Sequence, residues 1–412
     1  MAIPTAAPYI QAYEQLGFGM FVHMGLYSIL GRDAWYWSLE HVPDDEYRAL
    51  INEYSVDNME NLVIAAKNTG CKYITLTTKH HEGFCLFDAK ETTSFNALNT
   101  PCKRDLIKEF VDACNKHGIV PFFYFALYEF KNPDFKGDFN KYLAYLRRQV
   151  EILCTQYGKI GGLWFDGTWS KEPGTDWQED ELYSMIRKYQ PEAMIMNNTG
   201  LGNQGALGHP EIDAILFERM QAKPLNREGH KKYVAIEMGD TIYCHWGMAD
   251  DLDFKSPRYM IESLCNCRKV GANYLMNVGP DAHGNITPEG YFFLNCMKRW
   301  MDHYGEAVYN GRPYWARDGV RNFILKSVDG KSVYFYVYGL NNRGSKHVVS
   351  QLGGDGDVTF DGVDVKVKDI HWMDNDEALA YHQEGTDLTV NFTSFPYGTH
   401  YIVRVAKGTI EE

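Results

Sequence analysis

The amino-acid sequence predicts an α/β protein: a TIM-like (β/α)8 barrel followed by a C-terminal β-sandwich. Two observations carry this. As far as about residue 310, short apolar runs of strand length alternate with helical periods, and eight such runs fit a barrel better than a doubly wound sheet. After Arg312-Pro-Tyr-Trp315 the helical periods stop, and period-two alternation between Gly, Asp and Asn turns takes over. The expected domains are residues 1–312 and 313–412.

In order, the barrel strands are expected at Phe18–His23, Tyr73–Thr78, Ile119–Phe125, Gly162–Phe165, Ala193–Met196, Ile215–Phe217, Tyr233–Ile236 and Asn273–Asn277. Helices are expected near Val56–Asn68, over Arg104–Lys116, where Leu106, Phe110, Ala113 and Cys114 share one face before Gly118, and over Phe139–Tyr157. The sixth and seventh helices are poorly marked, so irregularity is expected there. The sandwich strands are expected at Ser332–Tyr338, Asp364–Lys368, Leu388–Phe392 and Tyr401–Val405.

The chain has 412 residues, 45% of them hydrophobic and 23% charged, with a formal net charge of −13 and no basic run. That balance argues against a nucleic-acid partner. No window approaches the ~18 apolar residues of a membrane span. Residues 1–8 show neither a basic nor an apolar signal region, and the nine cysteines include no C-x-x-C pair. Free thiols in a reducing cytosol are therefore expected, with a processed secreted form as the alternative.

Active sites of such barrels lie at the C-terminal strand ends. The sequence reads these ends as His23, His80-His81, Tyr124, Asp166, Asn197-Asn198, Glu218, Glu237 and Asn277. Asp166, in Trp164-Phe-Asp-Gly167, follows a buried run at a glycine that permits a tight turn; a simple helix cap is the competing reading. A carboxylate nucleophile acting on a glycoside needs a second carboxyl about 5 Å away. Glu218 and Glu237 are the candidates. His23, His80, His81 and Asp166 also admit zinc ligation as a rival. Trp35, Tyr36 and Trp37 follow the first strand, and aromatic rings there can stack on sugar faces.

Four segments together resemble the α-L-fucosidases of glycoside hydrolase family 29. They are Phe18-Gly-Met-Phe-Val-His-Met-Gly25, Leu76-Thr-Thr-Lys-His-His-Glu-Gly-Phe84, Trp164-Phe-Asp-Gly167 and Gly271-Ala-Asn-Tyr-Leu-Met-Asn-Val-Gly-Pro280, the last continuing through Gly284-Asn-Ile-Thr-Pro-Glu-Gly290. The C-terminal sandwich is similar to that of many members. The resemblance implies Asp166 as nucleophile, His23, His80 and His81 as partners of fucose hydroxyls, and Trp164 as a pocket wall. Trp35 and Tyr36 match a rim segment usually written E-W-Y, but Ala34 stands where the Glu would be. Many relatives carry Asn then Arg where this chain has Asn197-Asn198-Thr199. Tyr124, Asn198 and Trp246 complete the expected sugar-binding set.

The family's acid/base is poorly fixed in sequence. Glu218 is favoured over Glu237, with Glu211 and Asp213 behind them. The expected activity is thus retaining, exo-acting hydrolysis of terminal α-L-fucose from an oligosaccharide or a glycoprotein glycan, with no cofactor, metal or membrane partner. A non-catalytic carbohydrate-binding barrel and a metal-dependent hydrolase are the alternatives. The oligomeric state is left open, a homo-oligomer included.

Overall fold

The computed structural model describes residues 3–411. They form two compact units, one from the chain up to Lys255 plus Asn273–Leu294, the other from Ser256–Ala272 plus Asn295 onward.

In the first unit eight parallel strands close into a barrel in chain order: β1 (Phe18–Val22), β2 (Tyr73–Lys79), β3 (Val120–Ala126), β4 (Gly162–Asp166), β5 (Met194–Asn198), β6 (Ala214–Glu218), β7 (Ala235–Thr241) and β8 (Asn273–Val278). Their residues are nearly all buried, which is why the strands read as apolar runs rather than alternating ones. Successive side chains point to opposite faces. Phe21, Phe122, Tyr124, Trp164, Met196, Leu216 and Leu275 fill the interior, and the helix Pro8–Leu16 adds Ile10 and Tyr13 to that core. Two residues further along the same inward rows stand His23, Asp166, Asn198, Glu218 and Asn277, at the C-terminal mouth.

The three expected helices form as Glu60–Thr69, Leu106–His117 and Phe139–Gln156. The second is capped by Asp105, whose side chain accepts from Lys108 N, and ends at Gly118 with φ +70°. The irregularity lies one unit earlier than expected. Among the described residues no α-helix separates β5 from β6 or β6 from β7, whereas Pro257–Lys269 follows β7 behind a Ser256 cap. The β5–β6 loop carries Gly200, Gly205 and Gly208 with positive φ, a composition that discourages a helix.

The second unit contains two antiparallel sheets. One has the order β13-β16-β11-β10-β9, from β9 (Gly311–Arg317), β10 (Phe323–Ser327), β11 (Ser332–Val337), β13 (Val367–Trp372) and β16 (Arg404–Ile410); the other has β12 (Gly356–Phe360), β15 (Asp387–Phe392) and β14 (Tyr381–Glu384). Ile324, Phe335, Phe360, Trp372 and Phe392 form its core. Arg404, fully buried, makes a two-pronged ion pair with Asp374 at 2.9 and 3.0 Å and lies 4.1 Å from the Trp372 ring centroid. The division expected at 312/313 falls inside β9, because sheet pairing with β10 already begins at Gly311.

Candidate active site

The strand ends surround a cavity of about 600 Å³ in the barrel mouth. Asp166 ends β4 and is held there by the turn at Gly167. That glycine has φ +110°, and a Cβ on it would come within 2.7 Å of the Tyr128 backbone nitrogen, so the tight turn excludes a side chain.

Four side chains grip the Asp166 carboxylate. Trp169 Nε1 donates to Oδ1 at 2.7 Å and Asn198 Nδ2 at 3.2 Å, while Tyr124 Oη donates to Oδ2 at 2.9 Å. His81 Nε2 lies 3.3 Å from the same Oδ2, its Nδ1 facing the Tyr128 carbonyl at 2.8 Å. Burial opposes ionisation of Asp166. The hydrogen bond and charge of His81, with the bonds from Trp169 and Tyr124, more than offset it and hold the carboxyl below its ordinary value.

Glu218 ends β6 across the mouth. Its Oε2 accepts from Asn198 Nδ2 at 2.8 Å, the same nitrogen that donates to Asp166. Asn198 can serve both because its own Oδ1 accepts from Gly200 N at 3.1 Å, which fixes the amide orientation. Sharing one nitrogen brings the two carboxyl oxygens within about 6 Å of each other. Burial and the nearby Asp166 charge raise the Glu218 carboxyl above its ordinary value, against smaller opposing effects of Asn198, Arg219 and Trp246. The two carboxyls are thus driven in opposite directions.

His23 Nδ1 donates to Asn277 Oδ1 at 2.7 Å, since Asn277 Nδ2 is committed to the Trp246 carbonyl at 2.6 Å. Burial pushes the His23 ring down to about 3, so it is neutral near pH 7 and its Nε2 is an acceptor. His80 stacks on Tyr124, with centroids 5.4 Å apart, and its buried Nδ1 has no protein partner among the described residues. Burial lowers it well below the ordinary histidine value. Phe21, Trp35, Trp164, Trp169 and Trp246 supply the aromatic walls.

Several expected residues sit elsewhere. His81 does not line the cavity; it clamps Asp166 from the side. Tyr36 lies away from the cavity, under the Arg32 guanidinium at 4.6 Å. Glu237 is not at a strand end. β7 runs on to Thr241, and its register sets Glu218 beside Gly239 and Leu216 beside Glu237, so Glu237 lies one inward layer below the mouth. There it is fully buried and accepts from Tyr13 Oη at 2.5 Å, Tyr73 Oη at 2.7 Å and Trp164 Nε1 at 2.9 Å. Those bonds keep it from a glycosidic oxygen and give it a supporting role beneath Trp164. Glu211 and Asp213 precede β6 and so belong to the opposite barrel end, where Asp213 is paired with Arg187 and Lys232. No group of three or more His, Cys, Asp or Glu side chains among the described residues is placed to hold a metal ion.

Removing Glu237 strands three buried donors. Glu237→Ala is expected to lower unfolding stability by about 3–5 kcal/mol, and Glu237→Gln, which keeps an acceptor oxygen, by less. Urea unfolding checks this, and an alanine variant as stable as wild type would remove the supporting role.

A sequence model described as Alpha-L-fucosidase matches residues 4–306. The chain belongs to that family. It is 25% identical to the tissue alpha-L-fucosidase of Bos taurus, over 88% of this chain and 81% of the relative, and 26% identical to that of Mus musculus, over 73% and 72%. The structure of alpha-L-fucosidase isoenzyme 1 from Paenibacillus thiaminolyticus matches with TM-score 0.81 and 28% identity, covering 98% of this chain and 99% of that one. A GH29 alpha-L-fucosidase of Bacteroides thetaiotaomicron, described as a trapped covalent intermediate with 2-fluoro-fucosyl fluoride, shares the fold at TM-score 0.81 and 23% identity, covering 100% and 98%.

As a member of the α-L-fucosidases, the chain is a glycoside hydrolase. Its departures from the family pattern now have positions. Ala34 is buried and does not line the cavity, which Asp33 does instead. Asp33 Oδ1 accepts from Trp246 N at 3.1 Å and Gly247 N at 2.9 Å, fixing the loop that carries Trp246. Asn198 stands as a neutral amide between the two carboxyls. Sequence reasoning missed Trp169 and Asp33 because neither is at a strand end. Trp169 carried a usable signal, a polar-tipped aromatic three residues beyond Asp166.

Proposed function

We propose that the enzyme is an exo-acting, retaining α-L-fucosidase in which Asp166 is the nucleophile and Glu218 the acid/base. The observation that carries this is the single Asn198 nitrogen bonded to both carboxylates. The two bonds keep Asp166 Oδ1 and Glu218 Oε2 within about 6 Å of each other, which favours the closely spaced carboxyls of a retaining enzyme over the wider pair of an inverting one. The trapped covalent intermediate of the Bacteroides thetaiotaomicron protein supports the same course.

In the first step Asp166 attacks the anomeric carbon while Glu218 gives its proton to the departing glycosidic oxygen. In the second step Glu218 takes a proton from water, which displaces Asp166 from the opposite face. Two inversions restore the α configuration. The buried aromatic floor of Phe21, Tyr124 and Trp164 closes the cavity below, which suits removal of a terminal sugar rather than cleavage within a chain. Fucose is neutral, and His23 and His80 offer nitrogens that accept or donate to its hydroxyls. The nine cysteines, none of them in a disulfide, fit work in a reducing compartment.

The pH profile tests the pairing. Asp166 must be ionised, and its carboxyl lies below the ordinary 3.8, so kcat/KM should fall only on acidification past that value. Glu218 must be protonated, and it lies above the ordinary 4.5, so activity should fall as pH rises through its raised value. The alkaline limb should disappear in Glu218→Gln with an activated aryl fucoside. If that limb persisted, Glu218 would not be the acid.

A further inference from the structure

β6 delivers Glu218 and then Arg219, a residue the reaction itself leaves unused. Arg219 has φ +54°, in the left-handed region that is unfavourable for a residue with a side chain and recurs at functional sites. Its nitrogen donates to the Gly239 carbonyl at 2.8 Å, which fixes this turn. The guanidinium lies 5.0 Å from the Trp246 ring centroid, at the cavity wall, and the residue is exposed. It forms no ion pair with any described carboxylate, although the chain has 54 acidic residues against 41 basic ones. Among the described residues lining the cavity it is the one Lys or Arg; the other charged groups, Asp33, Asp166 and Glu218, are acidic.

The acid/base marks where the leaving group must be, because its proton goes to the departing oxygen. Arg219 and Trp246 adjoin Glu218 and therefore border that side. Resting on the fucosidase reading, we propose that they form the subsite for the sugar next to fucose, and that Arg219 selects a sugar carrying an anionic group, carboxylate or sulfate. The indole supplies an apolar wall, and the guanidinium fork beside it matches a carboxylate or sulfate with two parallel hydrogen bonds.

The experiment compares kcat/KM for three fucosyl disaccharides of one linkage, in which the second sugar is a neutral hexose, the corresponding hexuronic acid or the 6-sulfated hexose, using the wild-type enzyme and Arg219→Gln. An aryl α-L-fucoside is run alongside. The wild type should prefer at least one anionic substrate over the neutral one by about tenfold, the two anionic arms showing which group is taken. Added salt should shrink the preference, and in Arg219→Gln the ratio should fall to about one. Because each ratio is internal to one protein preparation, partial misfolding of the variant does not move it. Equal rates on the three disaccharides with wild type overturn this inference and leave the fucosidase reading standing. A preference that survives in Arg219→Gln overturns the assignment to Arg219. Failure of the wild type on all four substrates overturns the fucosidase reading and the subsite with it.

Discussion

Asp166→Asn is expected to lower turnover of an aryl α-L-fucoside by about 10⁴-fold or more, with the fold intact. An amide has one acceptor oxygen, so either Tyr124 or Trp169 loses its acceptor, and it cannot form the glycosyl ester, so the first step loses its nucleophile. The barrel should survive, since Asn has the same shape and the loss of a buried charge relieves desolvation. Circular dichroism and unfolding midpoints separate loss of chemistry from loss of structure. In Asp166→Gly, azide should fill the vacated space and displace the leaving group directly, giving β-fucosyl azide. Near wild-type turnover in a well-folded Asp166→Asn enzyme would remove Asp166 from the mechanism.

Glu218→Ala should divide substrates by the basicity of their leaving groups. A natural disaccharide departs as an alkoxide and needs the proton, so its kcat/KM should drop by about 10²–10⁴-fold. An activated phenolate needs little help in leaving, so its first step should be largely spared. Breakdown of the glycosyl-enzyme then lacks a base and becomes slow, and azide should accelerate it. Attack opposite Asp166 gives α-fucosyl azide, the anomer opposite to that from Asp166→Gly. Loss of both substrates in equal measure, with no α-azide, would move the acid/base role to another carboxyl.

The barrel and the place of Asp166 at a strand end were legible because both rest on local signals. Fully buried strands read as apolar runs, and Asp166 stands directly after one. The same signal failed at β7. The apolar run Tyr233–Ile236 marks where that strand begins, while its inward row continues through Glu237 and its end is polar in Asp240 and Thr241, all buried. A strand read too early put Glu237 at the mouth, a layer above its true place. The register between β6 and β7 that corrects this is a non-local property. The missing helix after β5 had a local mark, the glycines at 200, 202, 205 and 208, which was read only as poor helix signal further on. In the sandwich, β14 is Tyr-His-Gln-Glu and largely exposed, so it offers no apolar pattern, and pairing with β15 alone makes it a strand. His81 shows the limit at the site itself. Adjacent histidines are visible in sequence, but which one lines the cavity and which clamps the carboxylate depends on the Tyr128 carbonyl from another loop.

The central claim is a covalent glycosyl-enzyme on Asp166. Incubation with 2-deoxy-2-fluoro-α-L-fucosyl fluoride should slow hydrolysis of that ester enough to collect it, and peptide mapping by mass spectrometry should place one fluorofucosyl group on the peptide containing Trp164-Phe-Asp166-Gly167. Labelling of a different carboxylate, or an active enzyme that never acquires a label at Asp166, would contradict the account.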